Sequence, residues 1–261
     1  MNPALRTAAT GMAAQQTRTE VIANNLANVN TTAFKRSRAQ FEDLLYQTMQ
    51  GPSVLGGPDA NTAPSVQVGR GTRLAAVQRL QSQGPLEETQ RSLDVAIDGE
   101  GFFQVQLPNG NTAYTRDGSF QISDQGVLVT SDGYQIGGGI KVPSDVADIG
   151  ISPTGIVTAT STGGQSTEIG RIELARFVNP GGLTALGQNL YSETPASGEA
   201  TVGYPQDDGM GRLIQGHLES SNVEIVQEMV DMISAQRAYE LNSKAVKTAD
   251  EMSDAATQMV R

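Results

Sequence analysis

The sequence predicts an α+β fold: terminal helices pairing as a coiled coil, with a central antiparallel β domain. Three observations predict it. Apolar side chains recur at heptad spacing from Pro3 to about Asn28. The segment from Asn222 to about Met259 runs without a Gly or Pro. Between them, residues 92–216 alternate short apolar runs with turn dipeptides and show no strong helical period. Helices at both extremities of a β domain bring the termini together, so that the β domain branches outward from a two-helix stalk.

The amino-terminal helix opens at Pro3, where a missing N–H costs nothing in a first turn. Leu5, Met12, Thr19 and Leu26 stand seven apart, and Ala8, Gln15, Ile22 and Val29 form a second series three residues on. Six of these eight are apolar. The helix ends near Asn28-Val29-Asn30, where Asn tolerates left-handed geometry. At ~1.5 Å per residue it makes a rod of roughly 39 Å, long for a surface helix of a small domain.

Phe34 to Gln50 has a mixed pattern and is read as a short helix. Gln50 to Ser65 holds Gly51-Pro52, Gly56-Gly57-Pro58 and Ala63-Pro64, and reads as extended and flexible. Strand signals follow. Leu93, Val95 and Ile97 alternate with other residues, as do Phe103, Val105 and Leu107. Asn109-Gly110 suits a tight hairpin, and Asp117-Gly118, Gly126 and Asp132-Gly133 punctuate the next stretch.

The carboxyl-terminal helix starts at a capping box, Ser221-Asn222-Val223-Glu224. Ala238, Asn242, Ala245, Ala249, Met252, Ala256 and Met259 step 4-3-4-3-4-3 and predict a small-residue seam. Its first half differs. Val223, Ile225, Val226, Met229, Val230, Met232 and Ile233 point in nearly every direction around the axis. One partner covers one stripe, so this surface calls for several neighbours, which a helical polymer supplies. The expected division is 1–30 plus 222–261 as a helical domain, 31–91 as a connecting segment, and 92–221 as a β-rich outer domain.

Composition removes whole classes of chemistry. The 261 residues include no Cys and a single His, His217. Cys/His zinc sites, Fe–S clusters, thiol nucleophiles and disulfides are excluded, and His217 in Gly216-His217-Leu218 has no nucleophile motif beside it. Gly69-Arg70-Gly71 and Gly137-Gly138-Gly139 lack the Lys-Ser/Thr of a phosphate loop, and the Asp-Gly turns lack calcium-loop spacing. Glu87-Glu88, Asp207-Asp208 and Asp250-Glu251 are adjacent pairs that do not face one another. The expectation is therefore no catalytic residue, no metal and no cofactor. The net charge of −10 speaks against nucleic acid. It is uneven: residues 1–91 carry 9 Lys/Arg against 6 Asp/Glu (+3), and residues 92–261 carry 9 against 22 (−13). No apolar run reaches the ~18–20 residues of a membrane span, and the first residues lack a charged-then-apolar signal peptide.

Two polar features stand out. Asn24, Asn25, Asn28 and Asn30 crowd a helix end although Asn is a poor helix former, which points to hydrogen bonding between helices or to register. Lys35-Arg36-Ser37-Arg38 is the one basic cluster and is expected to meet the acidic carboxyl helix of a neighbouring subunit.

These residues carry a resemblance. Thr10-Gly11-Met12-Ala13-Ala14-Gln15-Gln16, with Val21-Ile22-Ala23-Asn24-Asn25-Leu26-Ala27-Asn28-Val29-Asn30-Thr31, resembles the amino-terminal signature of bacterial flagellar rod and hook proteins. Ser221-Asn222-Val223, Glu228-Met229-Val230, Met232-Ile233 and Gln236-Arg237-Ala238-Tyr239-Glu240 are similar to its carboxyl-terminal one. Phe41-Glu42-Asp43-Leu44-Leu45-Tyr46-Gln47 and Asp94-Val95-Ala96-Ile97-Asp98-Gly99-Glu100-Gly101-Phe102-Phe103 bring it nearest the distal-rod members. The similarity runs nearly end to end and is weakest at 50–65 and 136–210.

The resemblance implies a structural, non-enzymatic subunit of the basal body. Such chains are exported unfolded by the flagellar export apparatus, without a cleaved signal, and polymerise into a rigid helical tube across the periplasm that transmits torque to the hook. The implied partners are further copies of the chain, hook and proximal rod subunits, and basal-body ring proteins, without membrane insertion. Heptads and motifs together assign self-assembly to Leu5, Met12, Ile22, Asn25, Leu26 and Asn28 on the first helix. On the second they assign it to Val223, Val226, Met229, Val230, Ile233, Tyr239, Ala245, Ala249 and Met252. The alternatives are a proximal rod or hook subunit of the same family and, remotely, a cell-wall hydrolase on a rod-type scaffold.

Overall fold

The computed structural model describes residues 3–50, 53–54, 62–63, 65–143, 145–207 and 209–259. The chain is α+β, and its paired strands are antiparallel throughout the described residues. It divides into two compact units. One comprises 1–27, 37–79 and 224–261; the other comprises 28–36 and 80–223. The expected connecting segment 31–91 is thus shared between them. No helix among the described residues is long and apolar enough to cross a membrane.

The first unit holds two helices, α1 (Pro3–Ala27) and α2 (Ile225–Met259), and a two-stranded ribbon. In the ribbon Ser37–Asp43 pairs with Thr72–Arg79, and Tyr46–Gln50 pairs with Val66–Gly69. The helix expected over 34–50 is therefore strand. Two of its apolar residues pair across the ribbon, Phe41 opposite Leu74 and Ala39 opposite Val77. That cross-strand pairing outweighs a weak local helical preference. Thr10 Oγ1 on α1 accepts the Thr72 N–H at 3.3 Å. Of the Gly/Pro-rich stretch, only Ser53–Val54 and Thr62–Ala63 are described, and they pair with each other; the rest of that prediction lies outside the described residues. α2 begins at Ile225, later than the capping box implies. The Ser221 hydroxyl accepts the Val223 N–H at 3.3 Å, closing a local turn ahead of the helix.

The second unit is built from a nine-stranded sheet, a three-stranded sheet (Val146–Ile151, Ile156–Ser161, Ser166–Arg171) and two strand pairs. Phe102–Gln106 lies in the middle of the large sheet, bonded to Thr112–Thr115, Gln135–Ile136 and Leu174–Arg176. With few rings available, the core sets them edge to face. Phe103 and Phe120 stand 5.0 Å apart at 81°, and Tyr114 and Phe177 4.8 Å apart at 85°. Aliphatic Val95, Ile97, Leu128, Ile136, Leu174 and Leu213 fill the rest. Val95–Asp98 pairs with Arg212–Gln215, and Val95, Ala96 and Ile97 are all buried, so this strand is covered on both faces and not on alternate ones. The predicted turns at 108–110, 124–126 and 132–133 are present, closed by N–H donation from Gly110, Gly126 and Gly133 to the carbonyl three residues earlier. Gly118 serves another purpose. A Cβ there would lie 1.7 Å from the Val95 carbonyl oxygen, and the Val95 N–H donates to the Gly118 carbonyl at 3.0 Å, so two backbones touch where only glycine fits.

A charged cluster closes this unit. Glu219 is 1% exposed. Its Oε1 accepts Lys35 Nζ at 2.5 Å and the Gly84 N–H at 2.9 Å, and its Oε2 accepts Arg116 Nε at 2.9 Å. Lys35 Nζ also donates to the Ser82 carbonyl at 2.8 Å, and Arg116 Nη2 to the Gly99 carbonyl at 2.7 Å. Asn222 tightens the same junction. Its Oδ1 accepts the Arg36 N–H at 2.7 Å, and its Nδ2 donates to the carbonyls of Leu80 and Ser82, each at 3.0 Å. Lys35, expected to meet a neighbouring subunit, is 1% exposed. Lysine is buried only when paired, and its pair is here. Burial, and then the nearby Arg116 guanidinium, pull its pKa below the ordinary lysine value against the attraction of Glu219.

Two predictions follow from this packing. Glu219→Gln strands two cations in the interior and is expected to cost about 3–5 kcal/mol. Lys35→Met leaves a neutral Arg116–Glu219 pair and is expected to cost roughly 1–2 kcal/mol for the lost bonds. Urea unfolding of both variants checks the order. Tyr114 donates to Glu193 Oε2 at 3.4 Å, and its phenol is pushed up to about 12, chiefly by burial and then by the Glu193 charge. The unfolded phenol ionises near 10. Between those values the unfolded state binds fewer protons, so stability falls as pH rises from about 10 to about 12. Alkaline unfolding of Tyr114→Phe is expected to lack that component.

Candidate assembly face

α1 and α2 pack antiparallel. Moving forward along α1, Gly11, Arg18 and Asn25 meet α2 residues of falling number. A Cβ at Gly11 would sit 3.0 Å from Asn242 Nδ2, so the two helices approach closely there. Arg18 Nη2 pairs with Asp231 Oδ1 at 3.0 Å. Asn25 Nδ2 donates to Glu228 Oε2 at 3.2 Å and to the Ser37 carbonyl at 2.9 Å, while its Oδ1 accepts the Ser37 N–H at 2.9 Å. Asn25 is 1% and Glu228 0% exposed. This asparagine joins α1 to both α2 and the ribbon. Asn24 and Asn30 are exposed, and Asn28 is half-buried, accepting the Thr31 hydroxyl at 3.1 Å.

The packed face of α1 follows the predicted series. Leu5, Met12, Thr19, Leu26, Ala8 and Gln15 are half-buried and Ile22 is buried, while Val29, half-buried, lies beyond the end of the helix. Along α2, Glu228, Ala235 and Ala249 are buried and Asn242, at the same seven-residue spacing, is half-buried; Asp231, Met232, Ala238, Ser243, Val246 and Ser253 are half-buried as well. Of the expected seam, Ala238 and Asn242 are half-buried and Ala249 is buried. The seam is displaced by one residue elsewhere: Ala245 and Met252 are exposed, and Val246 and Ser253 turn inward in their place. Either stagger satisfies a heptad in sequence, and packing on α1 selects between them. Ala256 lies outside the residues whose side chains are described.

The opposite face of α2 is open; its first turns are apolar, and further along it also carries the exposed charges Arg237, Glu240, Lys244 and Lys247. Val226 is 69% exposed, Met229 52%, Val230 57%, Ile233 48% and Leu241 69%. On a helix turning about 100° per residue, these residues with Met252 and Met259 fall in a sector of roughly 140°, centred opposite Ala235. Tyr239, also exposed, lies outside that sector, beside the packed face. Val223 precedes the helix and is buried in the second unit, so the apolar ring expected around the start of α2 is an outward stripe instead. The ribbon adds exposed Leu45, Tyr46, Met49, Val66 and Val68. Nothing in the local sequence marked Glu228 as a buried acceptor, because it reads like any solvated helix charge. Among the described residues no cluster of His, Asp or Glu has the makings of a metal site.

Three protein-family models match the chain. Residues 5–35 match the flagella basal body rod protein family, 96–159 the flagellar hook protein FlgE/F/G D1 domain, and 214–259 the flagellar basal body rod FlgEFG protein C-terminal family. Among relatives, the flagellar basal-body rod protein FlgG of Caulobacter vibrioides is 50% identical over 258 residues, covering 98% of each chain. The FlgG of Borreliella burgdorferi is 50% identical over 264 residues, covering 100% of each. That of Bacillus subtilis is 41% identical over 247 residues, covering 93% of each.

The two faces of α2 should respond differently to substitution. Ala235→Leu forces a larger side chain into a fully buried site and is expected to destabilise the helix pair by about 1–3 kcal/mol. Val230→Ser, on the open face, is expected to stay within about 0.5 kcal/mol. Circular dichroism melts of dilute protein distinguish them.

Proposed function

We propose an assembly role that proceeds from kinship: the chain belongs to the flagellar basal-body rod protein family, in its FlgG or distal-rod branch, and is a structural subunit of the basal body, not an enzyme. In this reading copies stack into a rigid helical tube. α1 and α2 act as its inner coiled-coil layer, and the β-rich unit faces outward. The tube carries torque to the hook.

One observation carries the reading. The open stripe of α2, from Val226 through Val230 and Ile233 to Leu241, lies opposite the face already used on α1. Each such side chain gains ~1.5–3 kcal/mol when covered, and an uncovered stripe of this length marks an interaction surface. Leu5, Met12, Ile22, Leu26, Asn25, Asn28, Val223 and Ala249 then hold the fold that presents it, while Met229, Tyr239, Ala245 and Met252 are available to neighbours. Exposed apolar residues on the ribbon brace adjacent copies. The further partners are hook and proximal rod subunits, ring proteins and the export apparatus, which delivers the chain to the periplasm.

Electron microscopy of purified, concentrated protein tests this directly. Tubes are expected, and Val226→Asp with Val230→Asp is expected to abolish them while dilute samples keep an unchanged circular dichroism spectrum. Tubes that persist in the double variant would overturn the assignment of this face.

A further inference from the structure

The buried cluster at Lys35, Arg116 and Glu219 is not neutral. It sets two cations against one carboxylate, and none of the three is more than 5% exposed. Glu219 spends both oxygens on the two cations and the Gly84 N–H. Arg116 uses Nε on Glu219 and Nη2 on the carbonyls of Gly99 and Ile97. Its Nη1 meets no acceptor among the described residues. Its guanidinium is held on one edge by Glu219 and the two carbonyls and keeps one solvent-reachable donor edge, in a cluster that carries two cations to one carboxylate.

Arg116 also lines a cavity of about 180 Å³, together with Gln81, Glu100, Phe102, Arg176 and Phe177. At roughly 30 Å³ per water, that space admits a small anion and its hydration. The Phe102 ring centroid lies 5.8 Å from the Arg116 guanidinium carbon and screens it on one side. Glu100, the carboxylate on this wall, is bonded by Arg176 Nε at 3.0 Å, which offsets its charge. We propose that the cavity binds a small oxyanion, a carboxylate or phosphate group, on the Arg116 guanidinium, completing the charge balance of the cluster. The group arrives either as a free solute or on an aspartate or glutamate of a second copy.

The site and the assembly face lie on different units, so the test runs on dilute, unassembled full-length chain. Inorganic phosphate is titrated against chloride at equal ionic strength, reading melting temperature and the side-chain nitrogen resonances of Arg116. A saturable rise with phosphate alone, with the Arg116 signals shifting in step, is the expected result. Arg116 itself is left intact, because Glu219 depends on it. Lys35→Met touches nothing in the cavity but removes the excess charge. Arg176→Gln removes a cation from its wall. Arg176→Gln is expected to weaken phosphate binding about tenfold, the worth of one charge-assisted bond, and Lys35→Met, acting only through charge at a distance, to weaken it by a smaller factor. Where the group comes from a second copy, the Arg116 signals move with protein concentration before phosphate is added, and phosphate reverses the movement. If neither phosphate nor protein concentration moves them, or if both variants bind phosphate as the parent does, the proposal fails.

Discussion

The second unit depends on how one carboxylate is shared. Glu219 stands where residues 33–36, 82–84 and 116 converge, each arriving with a donor or a charge, and residues 97–99 add carbonyls that accept from Arg116. Its backbone takes part as well, since the Glu219 carbonyl accepts the Ala33 N–H at 2.7 Å. Buried ion pairs are weak evidence of stability in themselves, because desolvation consumes much of the Coulombic gain. Their value here is in specifying register. Lys35 fits only if the segment after α1 runs beside the strand ending at Glu219, and Asn222 repeats the constraint with uncharged bonds.

The first unit uses a smaller version of the same device. Helices packed through Ala235, Ala249 and Gly11 slide easily, because small side chains give shallow ridges. Asn25 and Glu228, both buried, place a polar pair in that smooth contact and tie the same asparagine to the ribbon backbone. A shift by one turn would leave a carboxylate in an apolar seam. Stability comes from the helix faces; alignment comes from the polar pair.

What could be read from sequence follows the range of the interactions. The seam of α1 was legible because it depends on spacing within one helix, and the hairpin turns because Asn-Gly and Asp-Gly carry their own backbone preference. The ribbon was not, because Phe41 finds Leu74 only once the intervening loop has closed. Lys35 was misjudged for the same reason on a larger scale, its partner lying 184 residues away. The stagger at Ala245 and Met252 was ambiguous in principle, since sequence gives the period of a seam but not its phase. The outward face of α2 was legible as excess apolar surface, although its stripe is narrower than the residues around Val223 suggested.

The position of Glu219 also bears on the order in which the chain folds. A nascent chain shorter than that residue has both buried cations, no anion to meet them, and no strand to pair with Leu86–Glu88, so its β unit closes at a cost of several kcal/mol. Completion waits for nearly the last stretch to emerge, and pairings of such long separation form slowly. The fold therefore delays its own completion until residue 219 is available.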